Sequence, residues 1–334
     1  MNFLHYIFIL IKKYVSILPS VTIIFKADLT CNRLCDKIFI KLHKYHNFAN
    51  KYLPLGLEKT MLTVGVAIIK DQIIATAYGD NYQALSSEVT SFTKESLSYD
   101  IEKLISRLNV KGEDISGIGI AIPESMGCPD ALAEDVNKLT GVRALGTVTI
   151  NARALGEAYL RGDLSYFVIL TIGDTVESGI IIDKKLYTGI NPFGGRVAHM
   201  VINYGGYDCR CGCKGCFEAY ASTSGVKRIA AESGISDIES LTELFALSSS
   251  EAEDAKTRYT AYLSSGVTDV INLFQPSVLA LEGEFYDIGP AIIEPMTEIV
   301  LRDQYSSSMD NKCKMESAMS ENDTATLGAA LLFR

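Results

Sequence analysis

Four of the chain's eight cysteines crowd into eight residues, Cys209, Cys211, Cys213 and Cys216, and His199 stands ten positions ahead of the first. Thiolates whose spacing is fixed by a short loop bind zinc tightly, and an imidazole can supply the fourth tetrahedral ligand. Four protein ligands leave no position for water, so such a site holds a fold together rather than activating a nucleophile. Disulfides fit less well. Cysteines this close in sequence pair poorly with each other, and a chain of 334 residues does not need staples. Taking His199, Cys209, Cys211 and Cys216 as the ligands leaves Gly212 and Gly215 free for the turns of the loop, and Cys213 as the spare thiol. Cys128 and Cys313 stand alone and read as buried thiols.

The length allows two lobes, each with its own core. Net charge is −9, unevenly spread: residues 1–57 carry +6 and the remainder −15. An acidic body does not attract nucleic acid, so any DNA contact belongs to the basic N-terminal stretch. Residues 1–50 hold no glycine and no capped helix pair. A helix-turn-helix, a remnant of one and an extension without a packed core all stay open there. Apolar runs such as Tyr6–Ile11 and Val21–Phe25 are far shorter than the roughly 18–20 residues a membrane span needs. Lys12 and Lys13 precede an apolar stretch, but Pro19 interrupts it and no small-residue cleavage site follows, which argues against a leader. Reduced, metal-binding cysteines favour the cytoplasm.

From Leu55 onward strands and helices alternate. Leu62, Val64, Val66 and Ile68 alternate as in a strand, Lys70–Gln72 is a polar turn, and Ile73–Tyr78 returns. Leu97, Ile101, Leu104, Ile105 and Leu108 follow at helical spacing, and Ile118–Ile122 is a short apolar strand ended by Pro123. The order then recurs, with strands expected at Tyr166–Thr171, Gly179–Asp183 and Leu186–Thr188. A helix capped by Ser250 and Glu253 and a strand at Val278–Leu281 come after them. Two halves that each open with strand, turn and strand suggest an internal duplication in an α/β chain.

The stretch Gly189-Ile-Asn-Pro-Phe-Gly-Gly195-Arg-Val-Ala-His199-Met, followed by Cys-x-Cys-Gly-x-x-Gly-Cys-x-Glu-Ala-Tyr-Ala-Ser222, closely resembles the signature of the ROK family of repressors and sugar kinases. The resemblance runs from about Tyr52 to the C-terminus. It implies two actin-like (ribonuclease H-like) lobes around a cleft, with the zinc loop in the second. On this reading 1–54 is a basic extension or remnant of a DNA-binding domain, 55–145 the first lobe and 146–334 the second, with the last residues returning to the first. It also implies homo-oligomers, dimers or tetramers.

Against the family's kinases, this chain departs where nucleotide is handled. The motif Asp-x-Gly-Gly-Thr-Lys reads Glu58-Lys-Thr-Met-Leu-Thr63, and the second glycine-rich turn reads Gly173-Asp-Thr-Val-Glu-Ser-Gly179. Bare backbone is what phosphates need. Aligned on Ala154-Leu-Gly-Glu157, the family's Asn-Asp-Ala-Asn places Val148 and Thr149 at the catalytic pair, and Asn151 at the second Asn. Val136 to Gly156 holds no carboxylate in any register. General-base help of about 10²–10⁴-fold is then lost. Glu282-Gly-Glu284 replaces a Gly-Gly on the adenosine side, where carboxylates repel a polyphosphate. No catalytic residue is therefore assigned, and ATP with magnesium is not expected as a cofactor.

The resemblance places sugar contacts at Glu218, His199 and Asn151 and a family carboxylate at the position of Arg196. Arginine only donates, so Arg196 either pairs with Glu218 and closes the site or recruits an acidic ligand. The loop after Pro123 is shortened to Glu124-Ser-Met-Gly-Cys-Pro129. The regulator branch of the family fits best: a sugar-sensing, glucokinase-like scaffold with structural zinc and without phosphoryl transfer. A divergent ATP-dependent sugar kinase is the alternative, and a non-catalytic interaction protein a third.

Overall fold

The computed structural model describes residues 61–110, 114–190, 194–305 and 313–334. The expected DNA-binding region, 1–54, lies outside the described residues, as do Asn191–Phe193 of the family signature. The chain order is β1 (Leu62–Ile69), β2 (Gln72–Tyr78), β3 (Ala84–Ser91), α1 (Leu97–Arg107), β4 (Ile115–Ile122), α2 (Pro129–Thr140), β5 (Ala144–Val148) and α3 (Thr149–Leu160). There follow β6 (Tyr166–Ile172), β7 (Val176–Ile182), β8 (Lys185–Leu186), α4 (Glu218–Ala221), α5 (Thr223–Glu232), α6 (Leu241–Ala246) and α7 (Ser250–Phe274). The chain ends with β9 (Val278–Glu282), α8 (Phe285–Ile288), α9 (Pro290–Asp303), β10 (Lys314–Ser317) and α10 (Glu321–Ala330).

The strands form two five-stranded mixed sheets, ordered β3-β2-β1-β4-β5 and β8-β7-β6-β9-β10. In each, the first three strands form an antiparallel meander and the last two run parallel to the first. The same path is therefore traced twice, which is the duplication the sequence suggested. In the first sheet Val64, Val66 and Ile68 face α1 and α2, joining Ile101, Leu104 and Val136 in one core. Long β-branched chains fill that layer. The opposite face is lined by Ala67 and Ala121, small enough for α10 to lie close through Ala325 and Ala329. The second sheet packs Val168, Leu170 and Ile180 against α5, α7 and α9, with Leu263, Val267 and Val270 from the long helix.

Helix α3 and helix α10 cross where the lobes meet. A Cβ at Gly328 would fall 1.6 Å from the carbonyl oxygen of Ala152, so only glycine allows this approach. The C-terminal helix thus packs on the first sheet although it follows the second in sequence. The first sheet runs to Val148, past the lobe boundary expected at 145, because β5 pairs with β4 from Ala144 to Val148.

Three local expectations change. Strand β3 was not foreseen: it is an edge strand whose half-buried positions are Ser86, Glu88 and Thr90, while its apolar Leu85 and Val89 are exposed, so no apolar inward face marks it. The cap of α7 is Ser249, whose Oγ accepts from the Ala252 N–H at 3.2 Å, one residue before the serine expected. Cys128 is exposed ahead of α2 rather than buried, while Cys313 is partly buried and its thiol is pushed up to about 11 by desolvation.

Candidate functional site

In open α/β sheets the carboxyl ends of parallel strands are where a crevice forms. Here the turn after β4 contributes Glu124, β5 ends at Val148, and the β6–β7 hairpin contributes Thr175, Val176 and Glu177. Together they line a cavity of about 410 Å³ between the lobes. The first turn of α3 adds Asn151, and the segment after β8 adds Gly195, Arg196 and His199. That volume falls within the range of sites that enclose small molecules.

His199 closes a short helical turn, Val197–His199, and the chain returns as a loop pinned at both ends. Val201 bridges Cys216 and Asp208 bridges Lys214, both antiparallel. Gly212 and Gly215 take φ of 89° and 79°, the left-handed region in which glycine pays no steric penalty. A side chain at Gly215 would also meet the Asn203 carbonyl oxygen at 1.9 Å. Beneath the loop Tyr220 stacks on Tyr207 at 4.4 Å, and its hydroxyl accepts from the Asn203 amide at 2.9 Å.

This frame gathers four donors. One ligand atom from each of His199, Cys209, Cys211 and Cys216 lies within 4.8 Å of all the others. Cys209 Sγ is 3.7 Å from His199 Nδ1, and Cys211 Sγ is 3.7 Å from Cys216 Sγ. A tetrahedron with zinc–sulfur bonds near 2.3 Å has edges of about 3.8 Å, so the spacing suits that ion. Cys213 is exposed and outside the group. Without a cation, burial and the neighbouring thiols push Cys216 up to about 12, so metal binding must displace its proton.

Glu218 opens α4 directly after the loop and is buried. Its carboxylate accepts from the Val176 N–H at 3.0 Å and from both Nε and Nη2 of Arg210, at 2.6 and 3.1 Å. Arg210 lines the cavity, and Glu218 supports it from behind. Sequence reasoning named Glu218 and missed Arg210, whose position between two ligand cysteines was the available signal. Arg196 does not pair with Glu218. Its Nη2 instead donates to Glu124 Oε1, so this ion pair reaches from one lobe to the other. Asn151 is buried in the first turn of α3 and faces the cavity; its amide makes no side-chain hydrogen bond among the described residues.

Glu177 was also missed, since the sequence reading treated it only as an intruder in a glycine-rich turn. It projects into the cavity from β7. Burial raises its carboxyl above the ordinary value, and the nearby Glu124 adds to the shift. Glu157, in contrast, is fully buried and paired with Arg161 at 2.7 Å, away from the cavity.

The neighbouring strand ends are filled. Arg153, buried on α3, donates to Glu282 Oε2 at 2.5 Å, and Thr171 hydrogen-bonds the same oxygen at 3.1 Å. Glu321 at the start of α10 lies 3.9 Å from Arg153. Glu284 turns the other way and accepts from Thr242. The turn equivalent to Gly173–Thr175 in the first lobe is Lys70–Asp71, because β1 and β6 hold the same place in their sheets. Thr63, at the last position of the altered Asp-x-Gly-Gly-Thr-Lys motif, lies in β1 and pairs with Tyr78 of β2. Lys70 has φ 56°, a conformation that favours glycine, yet carries a long side chain.

A profile of the ROK family matches residues 63–334, and the chain belongs to that family. Its relatives divide between two activities. The xylose repressor of Bacillus subtilis (strain 168) is 24% identical over 262 residues, 74% of this chain and 68% of the repressor. The glucokinase of Thermotoga maritima is 26% identical over 258 residues, 67% of this chain and 80% of the kinase. Among solved structures, a ROK hexokinase from Thermus thermophilus superposes with a TM-score of 0.70 at 22% identity, covering 81% of this chain and 97% of its own. A ROK family transcriptional regulator, a homologue of the E. coli MLC protein, gives 0.64 at 20% identity, covering 81% of this chain and 78% of its own. Among the described residues no helix is long and apolar enough to cross a membrane.

Proposed function

We propose that this chain is the sensor body of a ROK-type transcriptional regulator, taking a sugar-class ligand into the inter-lobe cavity and contacting DNA through residues 1–54. The observation that carries this reading is the first turn of α3. Thr149, Ile150 and Asn151 offer a hydroxyl and an amide where phosphoryl transfer to a sugar needs a carboxylate to take the hydroxyl proton. The adjoining strand ends support it, because Arg153 and Glu282 occupy them with each other.

Zinc held by His199, Cys209, Cys211 and Cys216 supplies cross-linking and no chemistry. The loop it would fix carries Arg210 and leads into Glu218, and so sets the wall of the cavity. A ligand that touches Asn151 and Arg210 in one lobe and Glu124 in the other biases lobe closure by its differential contacts with the open and closed states. Homo-oligomers of this body would double the DNA contact.

A second reading, a divergent sugar kinase using ATP and magnesium, is favoured by Glu177, a carboxylate inside the cavity. Two measurements separate the readings. The full-length chain is expected to turn over no ATP with a panel of hexoses and N-acetylhexosamines. It is also expected to select specific genomic sequences, with binding lost when Lys37, Lys41 and Lys44 become Gln and with a steep salt dependence. ATP-dependent phosphorylation of any sugar would sink the regulator reading.

A further inference from the structure

The charges that line the cavity are Glu124, Glu177, Arg196 and Arg210, beside His199 of the metal group. Three of those four are matched inside the protein. Arg210 is held bidentately by the buried Glu218, and Arg196 and Glu124 pair across the cleft. Glu177 has no cation within ion-pair distance among the described residues. The groups that face it are the Thr175 hydroxyl on its own hairpin, Glu124 from the turn after β4, Arg153 from α3 and Glu321 from the start of α10. Two of these are carboxylates, and the one cation, Arg153, is already committed to Glu282.

A half-buried carboxylate facing like charges is poorly stabilised, and a ligand that brings a positive charge recovers that loss on binding. An anionic ligand faces the opposite balance. It would have to strip Arg196 from Glu124 or Arg210 from Glu218, leaving a carboxylate unpaired in the same space. A neutral ring would use Asn151 and Ser178 but leave Glu177 as it is. We propose that the cavity takes an amino sugar with its nitrogen free, and that Glu177 is the carboxylate that receives the ammonium group. Asn151, with a donor and an acceptor on one amide, reads ring hydroxyls beside it. The proposal rests on the reading of this cavity as a sugar site and names the class of sugar.

Calorimetric titration of the full chain at neutral pH tests it. The probes are 2-amino and 6-amino hexoses (glucosamine, galactosamine, mannosamine and 6-amino-6-deoxyglucose) set against glucose, N-acetylglucosamine, gluconate and glucose 6-phosphate. At least one free amine should bind about tenfold or more tightly than its neutral counterpart, as a charge-assisted hydrogen bond to a desolvated carboxylate implies. The isosteric E177Q variant should lose that preference while keeping its affinity for the neutral ring and its metal content. A neutral hexose or an anionic sugar that binds best overturns the amine assignment and leaves the sugar site standing. An amine preference that survives in E177Q removes Glu177 from the role. Silence from all eight probes overturns the sugar reading itself, and this inference with it.

Discussion

At one end of the cleft Asn151, Glu177, Arg196 and Arg210 surround open space. At the other, Arg153, Thr171 and Glu282 fill the strand ends with contacts to one another. Both ends use the same residue types on the same duplicated sheets. The difference lies in what each charge is bonded to. Around the cavity the ion pairs lie along the walls: Glu218 stands behind Arg210, and Glu124 reaches Arg196 at the rim. Beyond it the arginine lies in the middle, buried on α3 between β9 and α10, where it ties three elements. An open end can trade protein contacts for ligand contacts. A stitched end would have to break its own fold to admit a triphosphate.

The largest expected effect comes from the metal that walls the open end. Replacing Cys216 with Ser, or stripping zinc with a chelator, should lower the stability of the second lobe by several kcal/mol, since metal binding and folding are coupled. Thermal unfolding together with metal analysis gives the check. The matching change at Cys213, which is exposed and outside the donor group, should leave one zinc per chain and an unchanged melting temperature. Equal losses at both positions would break the ligand assignment.

The stitched end yields the next effect. Arg153→Ala should cost up to about 3 kcal/mol, towards the low end for a broken buried pair, because Glu282 keeps some contact with water. Arg153→Met, which fills the volume without the charge, should cost much less. If Met and Ala are equally damaging, the network acts through more than charge. If Arg153→Ala instead gains ATP binding, the closed end was a gate and the contrast between the two ends disappears.

Much of the frame was legible before any coordinates. Alternating Val64, Val66 and Ile68, helical spacing from Leu97 to Leu108 and a repeated strand–turn–strand opening placed most strands of both sheets. The short loop with its glycines at 212 and 215 announced the donor cluster, because thiol spacing and turn conformation are local properties. What escaped depended on who meets whom across the fold. The partner of Arg196 lies in the other lobe, Arg210 matters only because Glu218 lies behind it, and Glu177 matters because a hairpin aims it into the cavity. Edge strand β3 escaped for a different reason: the side it turns to the protein carries Ser86, Glu88 and Thr90, so no apolar inward period marks it.

A smaller effect, of unusual sign, comes from Glu177. Its carboxyl is raised above the ordinary value of 4.5, chiefly by burial. The folded protein therefore binds that proton more tightly than the unfolded chain, so stability falls as pH rises through the window above 4.5. At neutral pH the ionised group is a net cost to the fold. E177Q should raise the melting temperature at neutral pH, and the gain should vanish when both proteins are compared below the ordinary carboxylate range. A variant less stable than the parent at neutral pH would mean that Glu177 has a partner in solution, and the open end of the cleft would lose its unmatched charge.

The smallest effect is expected at the rim. Arg196 and Glu124 are each about half exposed, at 47% and 45% of their side-chain surface. Exposed pairs of this kind contribute about 0–1 kcal/mol, so Arg196→Gln should barely move the melting temperature. The pair nevertheless joins the two lobes, and its loss leaves Glu124 without that partner and next to Glu177, which already feels its charge. The variant should therefore bind a free-amine hexose more tightly, by a few-fold, while its affinity for a neutral hexose stays within a factor of about two, given the modest worth of exposed ion pairs. Equal gains for both ligands would show that the pair holds the lobes apart rather than setting the charge of the cavity. A loss for both would show that Arg196 contacts the ligand itself, and the rim would then belong to the binding surface.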